Sequence, residues 1–376
     1  MKLMHISDLH LGKRIFEYSM IEDQKYILKQ IVGIVESEKT DGVIIAGDVY
    51  DKPIPSVEAV ELLDDFLRSL VKKNQKIFII SGNHDSAERI SFASSILKES
   101  GVFVSPVFDG NIRPVNMKDE QGECNIYMLP FVKPSTVRNV YENAEVVDYT
   151  DAIKCVIEHM DIDKSKNNIL VMHQFVTGAT ICDSEEKSIG GLDDVSGEIL
   201  KDFEYVALGH IHGPQKVGSD NIRYCGTPLK YSFSEVKHKK SVTILDIKEK
   251  GNINIDTVPL IPRKDMYEIR GTYDEITSRQ FYEGKDFKEG YLQITLTDEE
   301  DIPGAISKLR CIYPYIMKLN YDNTRTKTSG EIDGSENVQE KTPIELFSEL
   351  YVLQNGMELT EDQKNYMKDM IEEIWG

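Results

Sequence analysis

The sequence has one tryptophan, five cysteines and no apolar stretch approaching a membrane span in its 376 residues. A spanning helix needs about 20 consecutive apolar residues, so an integral membrane helix is not expected. The start, MKLMHISDLH, meets an acid before any signal-like apolar run develops, which argues against a secretory leader and for a soluble, cytoplasmic protein. Cys124, Cys155, Cys182, Cys225 and Cys311 are odd in number and lack CxxC spacing, so neither a disulfide framework nor a zinc knuckle is expected. Positive charge is also short. Lys and Arg number 44 against 64 Asp and Glu, a net charge of -20. Polyanion binding draws most of its non-specific affinity from Lys and Arg, so a nucleic-acid reader of this composition would need local positive charge from metals or a partner. Hydrophobic residues make up 40%, enough for a substantial core. The length suits one domain of about 250 residues with smaller additions.

Five short apolar runs, KLMHIS (2–7), GVIIAG (42–47), KIFIIS (76–81), NILVMH (168–173) and EYVALG (204–209), alternate with helical stretches such as SVEAVELLDDFLRSLVKK (56–73). Apolar character that is continuous rather than alternating predicts strands covered on both faces, as in a layered α/β protein. After Pro259 and Pro262, MYEIRGTY, GYLQITLT and YIMKLNY predict three further strands, with AISKLRCIY a helix before the last, forming a small α+β domain over 263–322. Residues 323–341 are nearly devoid of apolar residues and are expected to form a flexible linker. Two helices should close the chain in 342–376. Thr342 with Pro343 and Glu345, then Thr360 with Gln363, read as capping boxes.

Each of the five apolar runs ends in groups able to hold a metal: Asp8 and His10 in SDLH, Asp48 in GDVYD, Asn83 in GNHD, His173 in VMHQ, His210 and His212 in GHIH. In extended chain, residues two apart point the same way, so Asp8 with His10 and His210 with His212 should each aim two donors at one point. Carboxylates, imidazoles and an amide without thiolate suit manganese, iron or zinc better than a soft metal. Seven donors exceed what one ion with an open position needs, but suit two ions about 3.5–4 Å apart sharing a carboxylate, for which Asp48 is chosen. Two such cations can generate hydroxide near neutral pH and clamp both oxygens of a phosphoryl transfer. Gly47, Gly82 and Gly209 precede donors, where a sharp turn or close approach would require glycine. Each motif alone has a plainer reading as a turn, or for His173 a core histidine. Together they place five of eight histidines at strand ends, leaving His5, His159 and His238 to structural roles.

The order DxH, GDxxD, GNHD, a lone His after a strand, and GHxH resembles the calcineurin-like metallophosphoesterases, whose fold is a four-layer β-sandwich flanked by helices. GDVYDKP lacks the Arg of the protein phosphatase motif GDxxDRG, and GNHD stands where those enzymes have GNHE. SGNHDSAERISF, LPFVKP, YVALGHIHGPQKV and YCGTPLKYSFSEVKHKKSV, with a small domain like that family's capping domain, resemble the SbcD-type nuclease subunits more closely. The resemblance implies a manganese-dependent nuclease, nucleoid-associated in the cytoplasm, that degrades duplex DNA from ends 3' to 5' and cuts single strands and hairpins. It would act in repair, recombination and replication as a dimer with an SbcC-type coiled-coil ATPase. It implies that Asp8, His10, Asp48 and His212 hold one ion and Asp48, Asn83, His173 and His210 the other. It also implies that His84, which matches the catalytic histidine, acts as a general acid, a role open to an imidazole. Asp51 and Asp85 are expected to orient imidazoles.

Residues 263–320 carry nine Lys and Arg against eleven acids, and 342–376 two lysines against eight acids, so neither segment presents a basic face. Ile344, Phe347, Leu350 and Tyr351, with Met367, Met370, Ile371 and Ile374, are instead candidates for docking on the partner's coiled coil. Stretches 56–73 and 86–99 are candidates for the dimer contact. Two other readings stay open: a phosphodiesterase for a small nucleotide, and a non-catalytic scaffold that tethers DNA ends.

Overall fold

The structure is a computed structural model that describes residues 1–120, 122–183, 185, 194–324, 342–355 and 358–375. The five expected strands form, and they fall into two sheets. Lys2–Ile6, Gly42–Ala46 and Lys76–Ile80 lie parallel in a six-stranded sheet that continues to Val102–Val104 on one side. Its other side is closed by the antiparallel strands Ser241–Ile247 and Ile253–Pro259. Asn167–His173 and Tyr205–Gly209 are the parallel centre of a second six-stranded sheet.

The alternation of side chains along each strand explains the continuous apolar runs. In Gly42–Ala46, Val43 and Ile45 join the cluster under the outer helices, while Ile44 and Ala46 face the other sheet. In Asn167–His173, Leu170 and Met172 face outward to helices and Ile169 and Val171 inward. Both faces are dry, so both parities must be apolar. The layers run helix, sheet, sheet, helix. Helix Val57–Val71 covers the first sheet with Ala59, Leu62, Phe66 and Leu70, and Ser56 caps it by accepting from the Ala59 N–H. Helix Ile21–Glu38 buries Ile27, Leu28, Ile31, Ile34 and Val35 at the three- and four-residue spacing of one helix face.

The small unit has its own apolar cluster. Its strands Met266–Gly271, Tyr291–Leu296 and Ile316–Tyr321 are parallel and joined by helical crossovers; the expected helix is Ala305–Arg310, and short helices Tyr273–Thr277 and Arg279–Tyr282 lie in the first crossover. Asp23 ties this unit to the main body. Its buried carboxylate accepts from Tyr291 Oη at 2.7 Å and Arg263 Nε at 3.2 Å. Of the stretch 323–341 only Asn323 and Thr324 lie within the described residues. The tail helices Pro343–Asn355 and Glu361–Trp375 open on reciprocal Thr342/Glu345 and Thr360/Gln363 hydrogen bonds. Among the described residues no helix is long and apolar enough to cross a membrane.

Candidate metal centre

Parallel strands deliver their C-terminal ends to one edge, and here two sheets do so side by side. The main chain leaves Ile6, Ala46, Ile80 and Gly209 toward Asp8 and His10, Asp48, Asn83 and His84, and His210 and His212, while His173 is the last residue of its strand. Donor atoms of Asp8, His10 and His212, of His10, Asp48 and His84, and of Asp8, Asp48 and His173 form three overlapping groups, each within 4.8 Å. Asp48 Oδ2 stands 3.6 Å from His10 Nε2 and 3.3 Å from His173 Nε2. Asn83 Oδ1 lies 3.0 Å from His173 Nε2 and 3.1 Å from His210 Nδ1.

The paired donors do not arise from strand alternation. Asp8, His10, Asp48 and His210 have φ of 52°, 43°, 48° and 101°, outside the extended region. The strands end before them, and the turned backbone sends His210 to Asn83 and His173 while His212 faces His10, 3.2 Å between their Nε2 atoms. Left-handed backbone at non-glycine residues costs of order 1 kcal/mol or more each and persists where surrounding contacts overdetermine it. Those contacts are visible. His210 N–H donates to Asp8 Oδ1 at 3.0 Å, Asp8 N–H to the Gly47 carbonyl at 3.0 Å, and His10 N–H to the Asp48 carbonyl at 3.0 Å. Gly209 is required by proximity, since a Cβ there would lie 1.9 Å from the Ala46 carbonyl oxygen.

The donor set fits divalent cations. His10 is enclosed, and its Nδ1 has no hydrogen-bond partner among the described residues, with the Asp51 carboxylate 3.7 Å away. The Nε2 atoms of His10 and His212 face each other with a carboxylate alongside, an arrangement of lone pairs that a shared cation satisfies. His173 Nδ1 lies 2.8 Å from the Ala46 carbonyl, to which it donates, so Nε2, which faces Asp48 and Asn83, is the atom that would ligate once a cation displaces its proton. Burial pushes Asp8 up to about 6 and His210 down to about 3. Burial also opposes the charges of Asp48 and His173, but their mutual attraction outweighs it: the Asp48 carboxyl is held well below its ordinary range and His173 is raised to about 9. Burial drives His10 well below its ordinary value, so it offers a neutral imidazole.

His84 stands at the rim, half-buried, its ring 4.9 Å from that of His10. Its N–H donates to Asp48 Oδ1 at 2.9 Å and its Nδ1 lies 3.2 Å from the Asp51 carbonyl oxygen. Asp51 therefore meets His84 through its main chain, and its carboxylate pairs with Lys13 at 2.7 Å. Asp85, expected beside an imidazole, has a different setting. Its carboxylate accepts from the N–H groups of Val49 at 3.0 Å, Tyr50 at 2.9 Å and Gly82 at 3.0 Å, clamping the GDVYD turn to the GNHD turn. The reason is chain geometry: unpaired N–H groups of two adjacent turns converge on it.

Several residues of the site carried no signal of their own. Glu235 lies 3.5 Å from His212 Nδ1, wholly buried, and pairs with buried Lys240. Lys240 Nζ also donates to the His212 carbonyl at 2.8 Å and Thr227 Oγ1 at 2.6 Å. Glu185 accepts from the His212 N–H, and Gln24 holds the His10 carbonyl at 2.7 Å. The available signal was an acid and a lysine five apart in SEVKHKK, but a charge run in a loop ordinarily marks a solvated face. Of the remaining histidines, His5 contacts Tyr205 Oη at 3.0 Å between the sheets and His159 stacks on Tyr141.

Comparison with known proteins gives the family. Residues 1–214 match the family described as Calcineurin-like phosphoesterase, and 262–355 match that described as Type 5 capsule protein repressor C-terminal domain. A Staphylococcus epidermidis protein, named as the SbcD chain of the SbcCD nuclease, is 32% identical over 378 residues, covering 99% of this chain and 98% of that one. Among solved structures, a dimetal phosphatase from Danio rerio has a TM-score of 0.43 at 10% identity, covering 68% of this chain and 95% of its own. A Thermus thermophilus protein has a TM-score of 0.39 at 11% identity, covering 68% and 98%.

Proposed function

The chain belongs to the calcineurin-like phosphoesterase family, and within it to the SbcD-type nuclease subunits, which makes it a metal-dependent phosphodiester hydrolase; from this we propose that it cuts DNA. In this reading it is a 3'-to-5' exonuclease on duplex ends and an endonuclease on single strands and hairpins, in repair, recombination and replication. Its ATP dependence comes from an SbcC-type partner, and its place is the cytoplasm, at the nucleoid. The observation that carries the reading is the convergence of seven metal donors with His84 at their rim, in a chain that matches a nuclease subunit over nearly its whole length.

Asp8, His10, Asp48 and His212 would hold one divalent cation and Asp48, Asn83, His173 and His210 the other, with manganese the proposed metal. When bound, such a pair supplies an activated water and neutralises charge developing on the phosphoryl oxygens. The chain's own residues do the rest. Asp48 presents Oδ2 to both His10 and His173 and, by accepting the His84 N–H on Oδ1, fixes where that side chain starts. With Nδ1–H donated to the Asp51 carbonyl, His84 can hold a second proton on Nε2 and give it to the leaving oxygen. Asp85 keeps the two turns in register, so the amide of Asn83 and the imidazole of His84 approach the same centre.

The assembly is proposed from two surfaces. Ile54, Val57, Phe92 and Ile96, on or beside the stretches 56–73 and 86–99, are 69–79% exposed and are proposed as the homodimer contact. Half-buried Ile344, Phe347, Tyr351, Met367, Met370 and Ile371 of the tail helices are proposed to dock on the ATPase coiled coil in a heterotetramer. The side chains of Leu350 and Ile374 lie outside the described residues.

The test is cleavage of end-labelled duplex and hairpin DNA with manganese, by the wild type and by His84→Ala, beside a small chromogenic phosphodiester. The expected result is metal-dependent DNA cutting that falls about 10²- to 10⁴-fold in the variant with bound metal retained. Cleavage of the small ester alone would favour a small-molecule phosphodiesterase. No cleavage of either, with the cognate ATPase present, would favour a tethering scaffold.

A further inference from the structure

On the Nδ1 side of His212, opposite the Nε2 that faces His10, the fold assembles a second group of metal donors. Cys182, His212 and Glu235 each offer one atom, and the three lie within 4.8 Å of one another. Loops remote in sequence are tied together to make it. Thr180 N–H donates to Gln215 Oε1 at 2.8 Å, and Gln215 Nε2 returns to the Thr180 carbonyl at 2.7 Å. Glu185 accepts from the Cys182 N–H on one oxygen and from the His212 N–H on the other. Asp183 N–H donates to Ser234 Oγ at 3.1 Å, which brings the thiol to the turn that carries Glu235.

The separations and the donor types suit zinc. Tetrahedral ligand bonds of about 2.0–2.3 Å set donor atoms about 3.3–3.8 Å apart, and Glu235 Oε1 stands 3.5 Å from His212 Nδ1. Lys240 pairs with the other oxygen, Oε2, so Oε1, which also accepts from the Tyr231 N–H at 3.2 Å, is the one left facing the imidazole. A thiolate favours zinc over manganese. Charge balances as well, with Zn2+ and Lys240 against Glu235, Glu185 and the Cys182 thiolate. Cys182 is half-buried beside exposed Asp183, which leaves an approach from solvent. A neutral imidazole has its lone pair on one nitrogen and its proton on the other, so a cation on Nδ1 puts the proton on Nε2. Resting on the reading of Asp8, His10, Asp48 and His212 as a manganese site, we propose that Cys182, Glu235 and His212 Nδ1 form a separate zinc site whose occupation withdraws His212 from manganese. On binding, the Cys182 thiol gives its proton to solvent and the His212 proton moves from Nδ1 to Nε2. Zinc is then an inhibitor that manganese opposes.

The test uses the full chain, as wild type and as Cys182→Ser and Cys182→Ala, with thermal midpoint and manganese-dependent cleavage confirming an intact fold and centre in each. Cobalt serves as the spectroscopic substitute for zinc. The wild type should develop the near-ultraviolet charge-transfer band of a cobalt–thiolate bond, zinc should erase it, and neither variant should show it. The zinc concentration that halves cleavage at fixed manganese should rise at least about tenfold in the variants, and in the wild type it should rise with manganese. No thiolate band in the wild type, which is read without any variant, overturns the proposal, and so does a band that persists in the variants. Equal zinc inhibition of all three proteins overturns it too, since zinc would then only be replacing manganese in the main centre. A wild type that shows the band but neither binds manganese nor needs it would instead remove the reading of the main centre, and with it the inhibition but not the zinc site.

Discussion

Replacing Lys240 with methionine should destabilise the protein far more than a surface charge change, and the pH dependence of that loss identifies its cause. Glu235 has no solvent exposure and Lys240 only 5%. One carboxylate oxygen meets Lys240 Nζ, while the other accepts from the Tyr231 N–H at 3.2 Å and stands 3.5 Å from His212 Nδ1. Burial pushes the Glu235 carboxyl up, but Lys240 and His212 outweigh it and hold the group well below its ordinary 4.5. A carboxyl depressed in the folded state contributes stability above its unfolded pKa, and that contribution is lost as pH falls through the folded value. Without Lys240 burial wins and the carboxyl rises, so the variant's deficit is largest at neutral pH and shrinks on acidification toward pH of about 4. Removing one partner of a buried pair costs about 3–5 kcal/mol, and a domain of this size loses about 2–4 °C per kcal/mol. The thermal midpoint should therefore fall by about 6–20 °C. The double variant Glu235→Met, Lys240→Met removes both charges and should melt within a few degrees of the wild type, because apolar replacement of a buried pair is often neutral. Manganese affinity should not recover with it, since His212 has lost its acceptor, a change that typically costs 10- to 100-fold. Calorimetry without metal and titration calorimetry with manganese separate the two effects. A Lys240→Met protein melting within two or three degrees of wild type, or a double variant melting as low as the single one, would refute the reasoning.

Two further outcomes follow from the same geometry. Gly209→Ala places a Cβ 1.9 Å from the Ala46 carbonyl oxygen and 2.6 Å from His173 Nδ1, so it should cost at least about 3 kcal/mol and abolish tight metal binding, whereas Gly33→Ala, with nothing within 4 Å and a helical setting, should gain up to about 1 kcal/mol; comparable denaturation midpoints for the two would contradict this. Asp8 is raised by burial to about 6 from 3.8, so in metal-free protein its contribution is fully present below the unfolded pKa and is lost as pH rises through about 6, by up to about 3 kcal/mol. Asp8→Asn should remove that component, and parallel stability curves for wild type and variant between pH of about 4 and 7 would exclude it.

The sequence by itself determined the strands and the candidate donors at their ends. Runs such as GVIIA are continuously apolar because Val43 and Ile45 meet helices while Ile44 and Ala46 meet the other sheet, and that demand is written locally. The tail caps are likewise local, each within four residues. The residue types at the strand ends announced a metal site because carboxylate, imidazole and amide recur there and thiolate does not. Only the tertiary structure decided how these parts meet. The allocation of strands to two sheets depends on pairing across long separations, as in Leu3 with Gly42 and Gly209 with His173. The left-handed backbone at Asp8, His10, Asp48 and His210, which sends His210 and His212 to different sides, is imposed by contacts between turns rather than by any strand alternation. The support of His212 by Glu235 and Lys240 shows the same limit, because a buried ion pair and a solvated charge run have the same letters and differ only in burial. Charge counted along 263–320 is close to balanced, yet Lys237 and Lys239 join Lys285 in one cleft through folding alone. Periodicity and residue chemistry are properties of neighbours in sequence; convergence, burial and local charge are properties of neighbours in space.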